Sequence, residues 1–110
     1  MDESRALDGL AALGQDSRLR IFRYLVQAGT AGASAGTIAE ELDIVPNTLS
    51  THLGQLARAG LIKGAREGRS IRYAADYSGV TALLQYLMED CCHGQPALCR
   101  PALETIACAC

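Results

Sequence analysis

The 110-residue chain has no apolar run near the roughly 18 residues needed to cross a bilayer. That absence points to a soluble protein without a membrane partner. The first ten residues, MDESRALDGL, lack the basic start and apolar stretch of a secretory signal, so the expected location is the cytoplasm. Cysteine is absent from the first 90 residues, and the five that exist crowd into the last twenty. This distribution excludes a disulfide framework that staples the whole fold and leaves a local thiol site. No Cys-x-x-Cys stands at a helix start after a strand, and the residues near the thiols are His93 and Arg100, which argues against a thiol enzyme. An excess of one charge is missing too. The net charge is -2, a balance that taken alone disfavours a nucleic-acid partner.

What is present fits one globular domain: 49% of the residues are hydrophobic and 20% charged, in a length that suits a single core. The charge is unevenly spread. Between Pro46 and Tyr73 the basic residues Arg58, Lys63, Arg66, Arg69 and Arg72 face one acid, Glu67, so this stretch carries +4. A local basic face and a solvated surface with a few salt bridges both fit that pattern.

Hydrophobic spacing divides the chain. Leu7, Leu10, Ala11 and Leu13 recur at three and four residues and predict a first amphipathic helix. Asp16 precedes a second, with Leu19, Phe22, Leu25 and Val26 as its buried face and Asp16 as its cap. The stretch from Gly29 to Gly36 is too small and glycine-rich for a helix and reads as a connection ending at a Ser34 cap. Next come TIAEELD, with Ile38, Ala39 and Leu42 on one face, a break from Asp43 to Pro46, and a renewed helix, NTLSTHLGQLARAG. Two short helices thus meet at a tight turn.

At 100° per residue, Leu49, Leu53 and Leu56 of the second short helix fall on one side. Asn47, Thr51, Gly54 and Arg58 fall opposite, flanked by Thr48, Ser50 and Gln55. A face of short hydrogen-bonding side chains with almost no acid can approach base-pair edges closely, as a major-groove helix must. Asn47, Thr48, Ser50, Thr51 and Gln55 are the candidate base contacts. After Gly60, two β-prone segments, Leu61 to Arg66 and Ser70 to Ala75, flank a Glu67-Gly68-Arg69 turn and predict a hairpin. Its arginines suit a protruding wing, and Arg69 and Arg72 are the candidates for phosphate or minor-groove contacts. From Ser78 a last helix is expected, ending at Cys91, with Val80, Leu83, Leu84 and Leu87 apolar. So much leucine on a terminal helix calls for a partner, and Leu83, Leu84 and Leu87 are the expected homodimer interface.

The element order, with SRLRIFRYL, LSTHLGQLARAGLI and REGRSIRY, resembles the ArsR/SmtB family of metalloregulatory repressors over residues from about 5 to 92. Its most specific element is the spacing of Ser50, His52, Leu53, Leu56, Ala59, Gly60 and Leu61 running into the EGR wing. The implied fold is mainly α with a small β hairpin. It is a winged helix-turn-helix in the order α-α-α-α-β-β-α, dimerising through terminal helices. Residues 1–92 would form the DNA-binding domain and 93–110 a cysteine-rich tail. The implied function is a repressor that leaves a double-stranded operator when an inducer binds. Two of the family's inducer sites are missing: AEELDIV contains no cysteine, and Asp76 to Asp90 contains no histidine. Cys91, Cys92 and Cys99, in CCHGQPALC, resemble the arsenic-responsive members whose thiols lie just beyond the last helix.

The chemistry of those thiols also stands by itself. Trivalent arsenic is soft, keeps a lone pair and takes three sulfurs in a pyramid, whereas zinc prefers four ligands in a tetrahedron. Cys91 and Cys92 supply two sulfurs, and Gly94 and Pro96 favour a turn that returns Cys99 as the third. As(III), Sb(III) and methylarsenite all present the required centre, so each remains a candidate inducer. Zinc with His93 as a fourth ligand is a rival, as is a disulfide switch at Cys91 or Cys92. Cys108 and Cys110 form a terminal pair that is either an accessory metal site or inert. His52, beside the apolar helix face, fits packing or a phosphate bond better than metal ligation.

Overall fold

The structure is a computed structural model that describes residues 1–89 together with Ala97, Arg100, Pro101 and Glu104. All five cysteines and His93 lie outside the described residues. Residues 1–89 form five helices, α1 (Glu3–Leu13), α2 (Asp16–Ala28), α3 (Ala35–Leu42), α4 (Pro46–Arg58) and α5 (Tyr77–Met88). Three strands accompany them, β1 (Ala33–Ser34), β2 (Ile62–Glu67) and β3 (Ser70–Ala75). The expected winged helix-turn-helix is therefore present.

Helix boundaries follow local chemistry. Ser34 accepts the Thr37 amide at the start of α3, and Asp76 accepts the amides of Ser78 and Gly79 at the start of α5. At α2 the cap is Gln15, which accepts from the Arg18 amide at 2.8 Å. Asp16, expected in that role, is instead the first helical residue, where its charge complements the helix dipole. Asp43 ends α3 in the left-handed region at φ 53° and turns the chain into the next helix. At the end of α4, the amides of Gly60 and Leu61 return to the carbonyls of Ala57 and Leu56, with Gly60 at φ 80°. This closing motif needs a left-handed residue, which glycine supplies without strain. Helix α5 stops at Met88, where Glu89 turns extended, rather than continuing to Cys91 as expected.

The sheet contains one more strand than the sequence predicts. Its order is β1-β3-β2, with Ala33 paired to Tyr73 and Ser34 to Arg72 on one edge of β3, and Ile62 through Glu67 paired to Ala75 through Ser70 on the other. The hairpin turn is Gly68 and Arg69 alone, because Glu67 already pairs with Ser70.

The core is aliphatic: Ile21, Leu25, Ile38, Leu49, Leu53, Leu56 and Leu61 are fully buried. Two predicted faces are corrected. In α2 the inward stripe is Ile21 and Leu25, with Phe22 half-buried, while Leu19 and Val26 are exposed. In α1 the buried residues are Ala6, Gly9 and Ala12, whereas Leu7 and Leu10 point to solvent. The reason is steric. The small stripe lets α1 approach α5 so closely that a Cβ on Gly9 would lie 3.4 Å from the Leu83 side chain. Leu83 is accordingly a core residue at 4% exposure, and its expected place in a dimer interface is withdrawn. Leu84 and Leu87 of α5 remain exposed at 44% and 47%, as do Leu7 and Leu10 of α1. The other end of α5 meets α4 through backbone. A Cβ at Gly79 would overlap the Gly60 carbonyl oxygen, so only glycine fits there.

Candidate nucleic-acid interface

Helix α4 is built to present one face. Pro46 occupies its first turn, where the absent N–H costs nothing. Leu49, Leu53 and Leu56 are buried and lock the helix onto the core. That rotation leaves Asn47, Thr48, Ser50 and Thr51 exposed, as the sequence predicts. Thr51 shares its hydroxyl proton with the Asn47 carbonyl at 3.3 Å, and its oxygen keeps lone pairs for an outside donor.

Gln55 is different. It is half-buried, and its side-chain oxygen accepts from the Arg18 guanidinium. Arginine has no acceptor, so the Gln55 amide must be oriented oxygen-first, which leaves its N–H donors and one oxygen lone pair for any base. Arg18, which the sequence reading missed, is the hub of this region. Its Nε donates to the Ala12 carbonyl at 2.7 Å, its Nη2 to the Ala11 carbonyl at 3.4 Å, and its Nη1 lies 3.4 Å from His52 Nδ1. One side chain from α2 thereby ties the end of α1 to α4. An open cleft lined by Asp8, Ala11, Ala12, Arg18, Gln55, Arg58 and Ala59 lies over this junction. His52 is half-buried beside this guanidinium. No cluster of three or more His, Cys, Asp or Glu side chains exists among the described residues.

On the wing the arginines divide into two kinds. Arg72 pairs with Glu67 at 2.7 Å and donates to the carbonyls of Ala31 and Gly32 at 3.2 and 3.4 Å. It fixes the base of the hairpin to the connection before β1. Arg66 and Arg69, near the tip, are exposed, and their side chains have no ion pair or hydrogen bond among the described residues. Arg66 projects from the face opposite Arg72, because its cross-strand partner is Ile71 while that of Arg72 is Ala65. Arg69 therefore presents a free charge where the sequence predicts one, and Arg72 presents one already half-neutralised. Below the wing, the Asp76 carboxyl is held below the usual carboxylate range, chiefly by the Ser78 hydroxyl; burial opposes this, and the amides of Gly79 and Ser78 and the charge of Lys63 add to the lowering.

Residues 13–65 match the family described as Helix-turn-helix domain. The uncharacterized HTH-type transcriptional regulator YbzH of Bacillus subtilis is 31% identical over 88 residues, which span 69% of this chain and 88% of that protein. Among solved structures, an ArsR-like transcriptional regulator from Rhodococcus sp. RHA1 superposes with a TM-score of 0.72 at 27% identity, covering 94% of this chain and 93% of that one. The homodimeric winged helix-turn-helix DNA-binding domain of Mb0332 from Mycobacterium bovis, a possible ArsR-family regulator, gives 0.62 at 26% identity, covering 79% and 81%.

Proposed function

The chain belongs to the helix-turn-helix transcriptional regulators, with an ArsR-like regulator among its solved neighbours, and from that premise we propose that it is an ArsR-family homodimeric repressor of a metalloid-resistance operon. It holds a two-fold symmetric operator when free and releases it when As(III), or a related trivalent thiophile such as Sb(III) or methylarsenite, occupies Cys91, Cys92 and Cys99. One observation carries the DNA half of this reading. Helix α4 buries three leucines and turns Asn47, Thr48, Ser50 and Thr51 to solvent, and the hairpin that follows it exposes Arg66 and Arg69, whose side chains have no ion pair among the described residues. Polar side chains reading base edges, with cations on the sugar-phosphate backbone, are the two complementary parts of a specific protein–DNA contact.

The dimer is supported by the exposed Leu7, Leu10, Leu84 and Leu87 on α1 and α5, and by the homodimeric relative from Mycobacterium bovis. A two-fold pair presents two copies of α4 to two half-sites, so dimer geometry controls affinity. The inducer half rests on sulfur chemistry. Three thiolates match the pyramidal preference of As(III), and Cys91 follows the end of α5 by only three residues. Chelation next to the interface helix would bias the separation of the two reading helices and lower operator affinity.

The test is an operator-release titration with arsenite, antimonite, methylarsenite and zinc on one preparation. The trivalent species should release the operator and zinc should not. Cys91→Ser, Cys92→Ser or Cys99→Ser should each keep operator binding and lose the response, because serine oxygen is a poor donor to a soft centre. The Cys108→Ser, Cys110→Ser double variant should keep most of it. Release by zinc alone, or by mild oxidant without metalloid, would replace this inducer with the corresponding rival.

A further inference from the structure

The start of α4 breaks a rule that the other four α-helices of residues 1–89 keep. Helices α1, α2, α3 and α5 begin on side chains that accept a backbone N–H, namely Asp2, Gln15, Ser34 and Asp76, whereas α4 begins on Val45, which has no acceptor. Valine is among the poorest residues at this position, and Ser, Thr, Asp or Asn would satisfy a free amide there. Packing does not account for the choice either. Val45 is 66% exposed, the largest value for any large apolar side chain among the described residues. Its neighbour Ile44 already packs against the core and meets the turn's need for an apolar anchor. The following Pro46 favours the extended backbone seen at Val45, φ -59° and ψ 133°, and β-branching restricts its χ1. The isopropyl group is thus presented stiffly, at the leading end of the helix that exposes Asn47, Thr48, Ser50 and Thr51. A residue that neither caps nor packs, where sequence and local preference disagree, is free to make a contact outside the protomer.

We propose that Val45 is a specificity-determining residue that seats against the C5-methyl group of a thymine in the major groove of the operator. The inference rests on the reading of α4 as the groove-entering helix. In such helices the N-terminal residues reach the base edges, and the thymine methyl is the apolar feature that the standard base pairs display in that groove. Replacing thymine by deoxyuridine removes this methyl and leaves every hydrogen-bonding group of the pair in place, so it isolates the contact.

Duplexes bound by the reduced, full-length chain are first selected from a random-sequence pool. Each half-site thymine is then replaced by deoxyuridine in symmetric pairs. One such pair should weaken wild-type binding roughly three- to fivefold per half-site, the effect of withdrawing about one methyl group from apolar contact. Val45→Ser should bind the thymine and uracil duplexes equally, while its melting temperature rises because serine caps α4. Discrimination and stability would move in opposite directions, which a merely structural role for Val45 does not allow. If the wild type tolerates every deoxyuridine while Asn47→Ala still alters which sequences are bound, the Val45 contact is refuted and the groove reading stands. If Asn47→Ala, Thr51→Ala and all base changes leave affinity untouched, the groove reading falls and the Val45 contact falls with it.

Discussion

Replacing Arg18 with methionine tests whether the α1–α4 junction is held by one side chain. Methionine keeps an unbranched stem and good helix propensity, so the change removes the guanidinium and little else. Two of the lost bonds are strong: Nε to the Ala12 carbonyl at 2.7 Å, and Nη1 to the Gln55 side-chain oxygen. Ala12 lies in the last turn of α1, where carbonyls have no partner within the helix. A hydrogen bond from a charged donor is worth about 1.5 to 3 kcal/mol. Arg18 is half-buried rather than sealed, so water recovers part of that loss, and a net destabilisation of about 2 to 4 kcal/mol is expected. The assay is chemical denaturation at one fixed protein concentration, since the proposed dimer would make apparent stability depend on it. The midpoint should fall with an unchanged slope. Adding Gln55→Leu to Arg18→Met should cost less than the sum of the single changes, because both remove the same bond. A loss below about 0.5 kcal/mol, the level of an exposed ion pair, or strict additivity, would refute the argument.

The two neighbouring leucines of α5 should part company. Leu83→Ala should lower stability by about 2 to 5 kcal/mol as a core cavity, whereas Leu84→Glu should give folded monomers in sedimentation that lose operator binding. Asp76→Ala should destabilise α5 by about 1 kcal/mol at neutral pH, as loss of a cap does. The Asp76 carboxyl is depressed in the folded state, so its contribution is full above the unfolded carboxylate range. It disappears as pH falls through the lowered folded value, and acid titration of both proteins should show their stabilities converging there. Arg69→Ala should weaken binding to all duplexes about equally and reduce the salt slope by about one, while a salt-independent interaction would contradict the wing contact altogether.

Much of this architecture is legible in the residues. The polar face of α4 follows from three leucines at spacing four and three, and the Ser34 cap from a single hydroxyl before an apolar repeat. The failures have physical causes. In α1 periodicity identifies two stripes, and nothing local says that the small one faces inward; that depends on how closely α5 must approach. Strand β1 is two residues of alanine and serine, too short for any alternation, and exists because β3 offers it an edge. Arg18 did leave a signal. It stands three and seven residues before Ile21 and Leu25, on the inward stripe of α2, and a charge at a core-facing position must find partners. Residues 91, 92, 99, 108 and 110, read here from sulfur chemistry and resemblance, lie outside the described residues.

The contact between Gly60 and Gly79 acts as a mechanical joint. Side chains usually separate packed elements, and their rotamers take up small displacements as a cushion would. At this point the cushion is missing, for the carbonyl of Gly60 occupies the space a Cβ on Gly79 would need. The amide of Asp76 is also pinned to the Leu61 carbonyl at 2.9 Å, one residue beyond. The far end of the reading helix and the near end of the last helix therefore bear on each other as a hinge without play. A force that tilts α5 at its distal end is delivered to α4 through backbone, with no soft element at the joint to dissipate it.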